Sequence, residues 1–350
     1  MARVFVGMSG GVDSSTAAVL LRESGHEVSG LHLQLLRGLP LESGAEDGSA
    51  AARAAETLGL PFHELDLSET FRQSVVAYFI REYEAGRTPN PCVVCNRRIK
   101  FGEMWERARA LGAEYLATGH YTRIEYDEKS GRWLLLRGAD PDKDQSYFLS
   151  QLTQEQLSRT LFPLGMLRKT QVREIAAAHG LEAATRRDSQ DICFVPDGDY
   201  ARLIERLTGR ASPEGDFLDE AGNALGRHRG FIRYTRGQHR GLALPIEPPL
   251  YVLDKDAQTH AIRLGTEDAL YADTLTVRDA NWIAVPALTE PMRVSVKTRH
   301  SRREADAELL PLADGRVRVR FSEPQRALTP GQFAVFYDGE RVVGGGAIEE

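Results

Sequence analysis

The sequence predicts an α/β fold: a doubly wound parallel-sheet domain, a small central domain and a C-terminal β-barrel. Three observations carry this. Short β-branched runs alternate with helix-length amphipathic stretches through the first half of the chain. Near residue 198 the pattern shifts to Gly, Arg and short strands. From about residue 270 it becomes short alternating runs separated by Gly and Pro turns. These shifts divide the chain into 1–197, 198–268 and 269–350.

In order, Val4-Phe5-Val6 reads as a buried strand, followed by a glycine turn and an apolar helix through Leu21. Val28–Leu33 is a second strand, and 37–49 a loop rich in Gly, Ser and acids. Ala50–Leu58 is a helix stopped by Gly59, and Pro61–Leu67 a third strand. Ser68 is placed to cap a long helix through Tyr83. A helix over about Gly102–Ala110 and a strand at Glu114–Thr118 complete the βα pattern. Thr122–Leu136 alternates around Lys129-Ser130-Gly131, a β-hairpin signature. Helices follow near 153–160 and 169–178, the second ended by Gly180. Met292–Lys297, Val317–Phe321 and Phe333–Tyr337 are strands of the barrel.

With 42% hydrophobic and 27% charged residues, 350 residues can bury ordinary cores. No apolar run approaches a membrane span and no signal peptide precedes the first strand, so the expected location is cytoplasmic with no membrane partner. Three cysteines argue against a disulfide-stapled secreted fold. A net charge of −6 does not advertise nucleic-acid binding. The footprint of a nucleic-acid binder is local, however. Basic residues concentrate at Arg227, Arg229, Arg233, Arg236 and Arg240, then at Lys297, Arg299, Arg302 and Arg303.

The densest chemistry lies in Gly7-Met8-Ser9-Gly10-Gly11-Val12-Asp13-Ser14, between the first strand and helix. Gly10 and Gly11 permit a tight turn and close ligand approach. Ser14 or Ser15 is placed to cap the helix, whose first N–H groups face an anion. There is no Gly-Lys-Ser/Thr ending and no G-x-G-x-x-G, so this is neither a kinase-type P-loop nor a dinucleotide fingerprint. SGGVDSS resembles the PP-loop of the ATP pyrophosphatases. They hold the β,γ-pyrophosphate of ATP as a leaving group while a substrate oxygen attacks the α-phosphate.

Two cysteine motifs follow. In Thr88-Pro89-Asn90-Pro91-Cys92-Val93-Val94-Cys95-Asn96 the prolines predict a constrained turn rather than a regular helix. Arg97, Arg98 and Lys100 are expected to favour thiolate. In Asp188-Ser189-Gln190-Asp191-Ile192-Cys193-Phe194 a single cysteine lies in a polar turn. Three readings stay open on the residues alone: small buried hydrophobes, part of a zinc or iron–sulfur site, or a persulfide carrier with a resolving thiol. No dedicated metal-ligand set is nominated. An ATP-activating loop in the same chain favours sulfur transfer, because adenylation turns a carbonyl oxygen into a leaving group.

SGGVDSS, GRTPNPCVVCN, ATGHY, KDQSYFLSQL, DSQDICF, YTRGQHRGL, VKTRH and TPGQFAVFYDGE occur in this order. Together they resemble the tRNA-specific 2-thiouridylase family from about residue 4 to the C-terminus. The resemblance implies ATP-dependent 2-thiolation of the wobble uridine in tRNA anticodons. ATP and Mg²⁺ are then required, with a cysteine desulfurase or sulfur-relay protein as donor and a reductant for a Cys95–Cys193 disulfide. Gly7–Ser14 match the ATP loop, and Leu33 and Gly119 match further nucleotide contacts. Cys95 matches the nucleophile and Cys193 the persulfide carrier. Asn90, Pro91 and Cys92 match the segment beside the target base. Lys143, Asp144, Gln145, His120, Arg299, His300 and Gln332 match tRNA contacts. Some members carry Asp where this chain has Cys92, which supplies no carboxylate, and others Met where it has Leu33. Two other readings of the chain are an adenylating ligase acting on a small-molecule carbonyl and an inactive RNA-binding or sulfur-carrier module.

Overall fold

The computed structural model describes residues 1–41, 48–185, 192–301 and 303–349. Residues 42–47 of the predicted loop at 37–49, the Asp188–Asp191 part of the second cysteine motif and Arg302 lie outside the described residues.

The first sheet is wholly parallel. Its strands are β1 (Arg3–Gly7), β2 (Glu27–Gln34), β3 (Phe62–Asp66), β4 (Tyr115–Ala117) and, later in the chain, the short Thr160–Leu161. The order across the sheet is β3-β2-β1-β4 and then Thr160–Leu161. The order reverses between β1 and β4, so the loops after these strands diverge around a crevice, where doubly wound folds bind ligands. Helix α1 (Val12–Glu23) runs back over β1 and buries Val12, Ala17, Ala18, Val19 and Leu21. Helix α2 (Ser49–Thr57) packs Ala51 and Ala55 into the same core.

Three local expectations are corrected. Asp66, not Ser68, holds the next helix start: its Oδ1 accepts from the Ser68 N–H at 3.0 Å and hydroxyl at 2.6 Å. The helix beginning at Ser68 is one rod to Glu84 but is π-helical over Arg72–Val76. The cysteine motif is helical. Pro91 occupies the first position of a Pro91–Cys95 helix, where a missing N–H costs nothing, and Asn90 Oδ1 accepts from Val93 N–H at 3.4 Å. That helix continues through a π-helical stretch, Asn96–Glu103, into Met104–Ala110.

The hairpin is β5 (Thr122–Asp127) and β6 (Arg132–Arg137), and the short Thr160–Leu161 strand is β7. The middle of the chain forms a separate sheet of β8 (Gly215–Leu218), β9 (Ala224–His228), β10 (Tyr251–Lys255) and β11 (Ile262–Gly265).

The last six strands are β12 (Tyr271–Trp282), β13 (Met292–Lys297), β14 (Ala305–Pro311), β15 (Val317–Arg326), β16 (Phe333–Asp338) and β17 (Arg341–Ile348). They run β12-β15-β14-β13-β16-β17, and β17 pairs back with β12 to close a barrel. The hairpin of the first domain pairs β6 with β17, extending the barrel sheet. The seam is a true core: Phe5, Leu31, Val93 and Tyr147 cluster with Phe333, Val335, Tyr337 and Val342.

Candidate active site

The site is built on the β1 and β4 carboxyl ends. Gly10 has φ +75, and a Cβ there would stand 2.5 Å from Ala50 Cβ, so only glycine lets α2 pack against the loop. Gly119 closes the other side: a Cβ on it would lie 2.6 Å from the Asp13 carbonyl carbon and 2.7 Å from Ser14 N. The ATGHY segment therefore rests on the first turn of α1. Ser14 and Ser15 do not cap this helix. Their hydroxyls donate back to the Gly11 carbonyl at 3.2 and 3.0 Å, and Gly11 is the N-cap with no side-chain acceptor. The first-turn N–H groups are thus not covered by a capping side chain, which suits an anion.

Asp13 brings in two residues that sequence reasoning missed. Lys169 Nζ reaches both its carboxylate oxygens at 2.7 and 2.8 Å, and Tyr121 donates its hydroxyl at 2.6 Å. Tyr121 is buried, and the Lys169 side chain is only 11% exposed. A cation is thereby built into the loop from a distant helix, Lys169–Ala178. Lys169 begins a helix that looked ordinary in sequence. Among the described residues, no group of three or more His, Cys, Asp or Glu is arranged to hold a metal ion.

Met8 is buried under the loop, Ser9 is exposed, and Leu33 packs between two core clusters at the end of β2. His120 is half-buried between the rings of Phe101 and Phe162, and its Nδ1 meets Thr118 Oγ1 at 2.7 Å. Desolvation, helped by the positive charge of Lys100, holds its imidazole well below its ordinary pKa, so it is neutral at pH 7.

Cys95 is 8% exposed. Burial pushes its thiol up to about 12, against the smaller downward pull of Lys100. The expected thiolate is therefore corrected: desolvation outweighs the neighbouring cation. Ile192 and Phe194, on either side of Cys193, pack in the same core as Cys95, and the charges of Cys193 and Cys92 add to the upward shift. Cys92 is raised by burial too, whereas Cys193 is exposed. Asn96, 2% exposed beside Cys95, donates Nδ2 to the Phe148 carbonyl at 3.2 Å.

Residues expected at the tRNA gather along the seam between the first domain and the barrel. The His300 ring lies 4.4 Å from that of Phe148, and its Nε2 is 3.4 Å from the Asp144 carbonyl. Arg299 bonds Thr329. Gln332 reaches the Thr88 and Pro89 carbonyls at 2.8 and 3.2 Å. The Asp144 carboxylate is occupied by its own turn, accepting from Gly138 N–H, Ser146 N–H and Ser146 hydroxyl. Gln145 Oε1 accepts from Tyr121 N–H at 3.0 Å. Lys143 is half-buried at the head of this turn. Arg227 and Arg233 are ion-paired with Asp216 and Glu205.

Family models match in chain order: a tRNA methyl transferase HUP domain over residues 2–197, a tRNA methyl transferase PRC-barrel domain over 203–266 and an aminomethyltransferase beta-barrel domain over 272–348. A tRNA-specific 2-thiouridylase MnmA of Acetivibrio thermocellus is 47% identical over 99% of both chains. That of Geotalea uraniireducens is 48% identical over 99% of this chain and 95% of its own. A solved U34-tRNA thiolase NcsA from Methanococcus maripaludis overlaps loosely, at 18% identity and TM-score 0.34 over 59% of this chain and 70% of that one. On the near-full-length identity and the three matched domains, the chain belongs to the tRNA-specific 2-thiouridylase family.

Proposed function

We propose that the protein uses ATP to replace O2 of the wobble uridine of tRNA by sulfur carried on Cys193. The observation that carries this is the placing of the two cysteine motifs: Ile192 and Phe194, on either side of Cys193, pack in the same hydrophobic core as Cys95, although far apart in sequence. The same domain holds a nucleotide loop with an uncapped helix start.

The uridine O2 attacks the α-phosphate of ATP, and pyrophosphate leaves against the first-turn N–H groups of α1 and Lys169. Mg²⁺ brought in with ATP would neutralise further phosphate charge; both Asp13 oxygens are taken by Lys169 and Tyr121, so Asp13 anchors the Lys169 cation rather than the metal. Single-stranded anticodon bases can be splayed into a pocket, which suits a site at a domain seam. The terminal sulfur of a Cys193 persulfide then attacks C2 and AMP leaves, joining uridine to Cys193 through a disulfide. Cys95 attacks the Cys193 sulfur. The Cys95–Cys193 disulfide forms, and the departing sulfur takes up the Cys95 proton to give neutral 2-thiouridine. Burial holds the Cys95 proton, so that proton must leave the thiol as its sulfur attacks. An external dithiol reduces the disulfide, and a cysteine desulfurase or sulfur-relay protein reloads Cys193. Asn90, Pro91 and Cys92 flank the base, and Lys143, Gln145, His120, Arg299 and His300 hold the RNA. Asp144 contributes the shape of its turn.

The test is a nucleoside mass spectrum of tRNA incubated with the protein, Mg-ATP, a cysteine desulfurase and cysteine. A uridine gaining sulfur for oxygen only in the full mixture is expected. No gain despite confirmed persulfide on the protein would point instead to an adenylating ligase with a small-molecule substrate.

A further inference from the structure

The segment before the cysteine helix is unable to hold itself. Pro89 and Pro91 have no N–H, so Thr88–Pro91 has few donors of its own, and its carbonyls need partners from elsewhere. They find them on the barrel. Gln332 donates its amide N–H groups to the Thr88 and Pro89 carbonyls at 2.8 and 3.2 Å. Thr88 N–H donates to the Pro330 carbonyl at 2.9 Å. Between these contacts sits Gly331, φ +89, where a Cβ would stand 3.0 Å from Arg87 Cβ and from both Thr88 N and O. The turn therefore fits closely against the segment. Pro89 is buried, and the next residue, Asn90, caps the helix that carries Cys92 and Cys95.

We infer that Gln332 is a positioning residue for the cysteine helix: from the barrel it fixes Thr88–Asn90, and through them the depth at which the Cys95 thiol is held. A change at the tRNA-facing seam of the barrel then reaches the thiol through one side chain and one helix turn.

The main test needs no ATP, tRNA or sulfur donor, so its outcome is separate from that of the proposed sulfur transfer. Each cysteine of the full-length protein is alkylated with iodoacetamide and followed by peptide mass spectrometry, with exposed Cys193 as the internal reference. Gln332→Ala is expected to raise the Cys95 rate, relative to Cys193, about tenfold. Gln332→Glu, close in size but with an acceptor in place of the donor, is expected to do the same, and it serves if the alanine variant folds poorly. An unchanged ratio in both variants overturns the inference. An equal rise at all three cysteines also overturns it, because that is general loosening. The activity arm rests on the proposed function. There Gln332→Ala is expected to lower kcat about tenfold with KM for tRNA little changed. A raised KM at unchanged kcat makes Gln332 an RNA contact alone and overturns the inference.

Discussion

Cys95 works against its surroundings. Its burial keeps it a thiol, so its reactivity depends on when a partner sulfur arrives rather than on standing nucleophilicity. Cys193→Ser is expected to leave pyrophosphate release intact and abolish sulfur incorporation, read by parallel pyrophosphate and nucleoside assays. Cys95→Ser is expected to trap tRNA on Cys193 through a disulfide, visible as a gel-shifted adduct that dithiothreitol removes. Absence of both the adduct and thiolated tRNA in that variant would mean that Cys95 releases hydrosulfide from the persulfide before C2 is attacked. The same burial has a sign in stability. The folded thiol keeps its proton above the ordinary thiol range, up to about 12, while the unfolded thiol loses it. The unfolded state then binds fewer protons, so stability falls as pH rises from about 9 toward 12. Denaturation of Cys95→Ala across that range should show a shallower fall than wild type. On the nucleotide side, Lys169→Met is expected to slow pyrophosphate release on the order of 10²-fold, as removal of one preorganised charge commonly does.

Helices and turns show what could be read ahead. The alternation of β-branched runs with helical stretches was legible because a parallel sheet buries both strand faces. Its strand order was not, since order depends on contacts far apart in sequence. The helical cysteine motif was missed because two prolines outweighed one favourable position: Pro91 falls at the first residue of the helix, and Asn90 caps it. Lys169 left no signal, because its partner Asp13 is brought to it only by the fold. The thiolate expectation failed on a similar point. Local sequence displays the charge of Lys100 but not the burial that overrides it. Removing the cap with Asn90→Ala should cost about 1 kcal/mol in urea denaturation, with the cysteine helix fraying first in hydrogen exchange.

Across the whole molecule, Glu82 ties the first domain to the barrel. It is 2% exposed and held by the Arg87 guanidinium at 2.6 and 2.8 Å, with Arg278 of β12 at 3.7 Å. Glu82→Ala would remove this carboxylate from two arginines that are each about one-third exposed, with Arg278 still paired to Asp279, so a cost of about 1.5–3 kcal/mol is expected in chemical denaturation. The closure of the barrel carries a further consequence, for the order in which the chain is made. Strand β17 pairs with β16, with β12 and with β6 of the first domain. A ribosome that has finished the nucleotide loop and both cysteine motifs has not yet made the strand that β6 docks against. Until β17 emerges, three strand edges wait open, and a nascent chain is most exposed to misassembly then. Completion of the catalytic half is therefore tied to the last strand described, so that a chain cut short before it is unfinished at both ends.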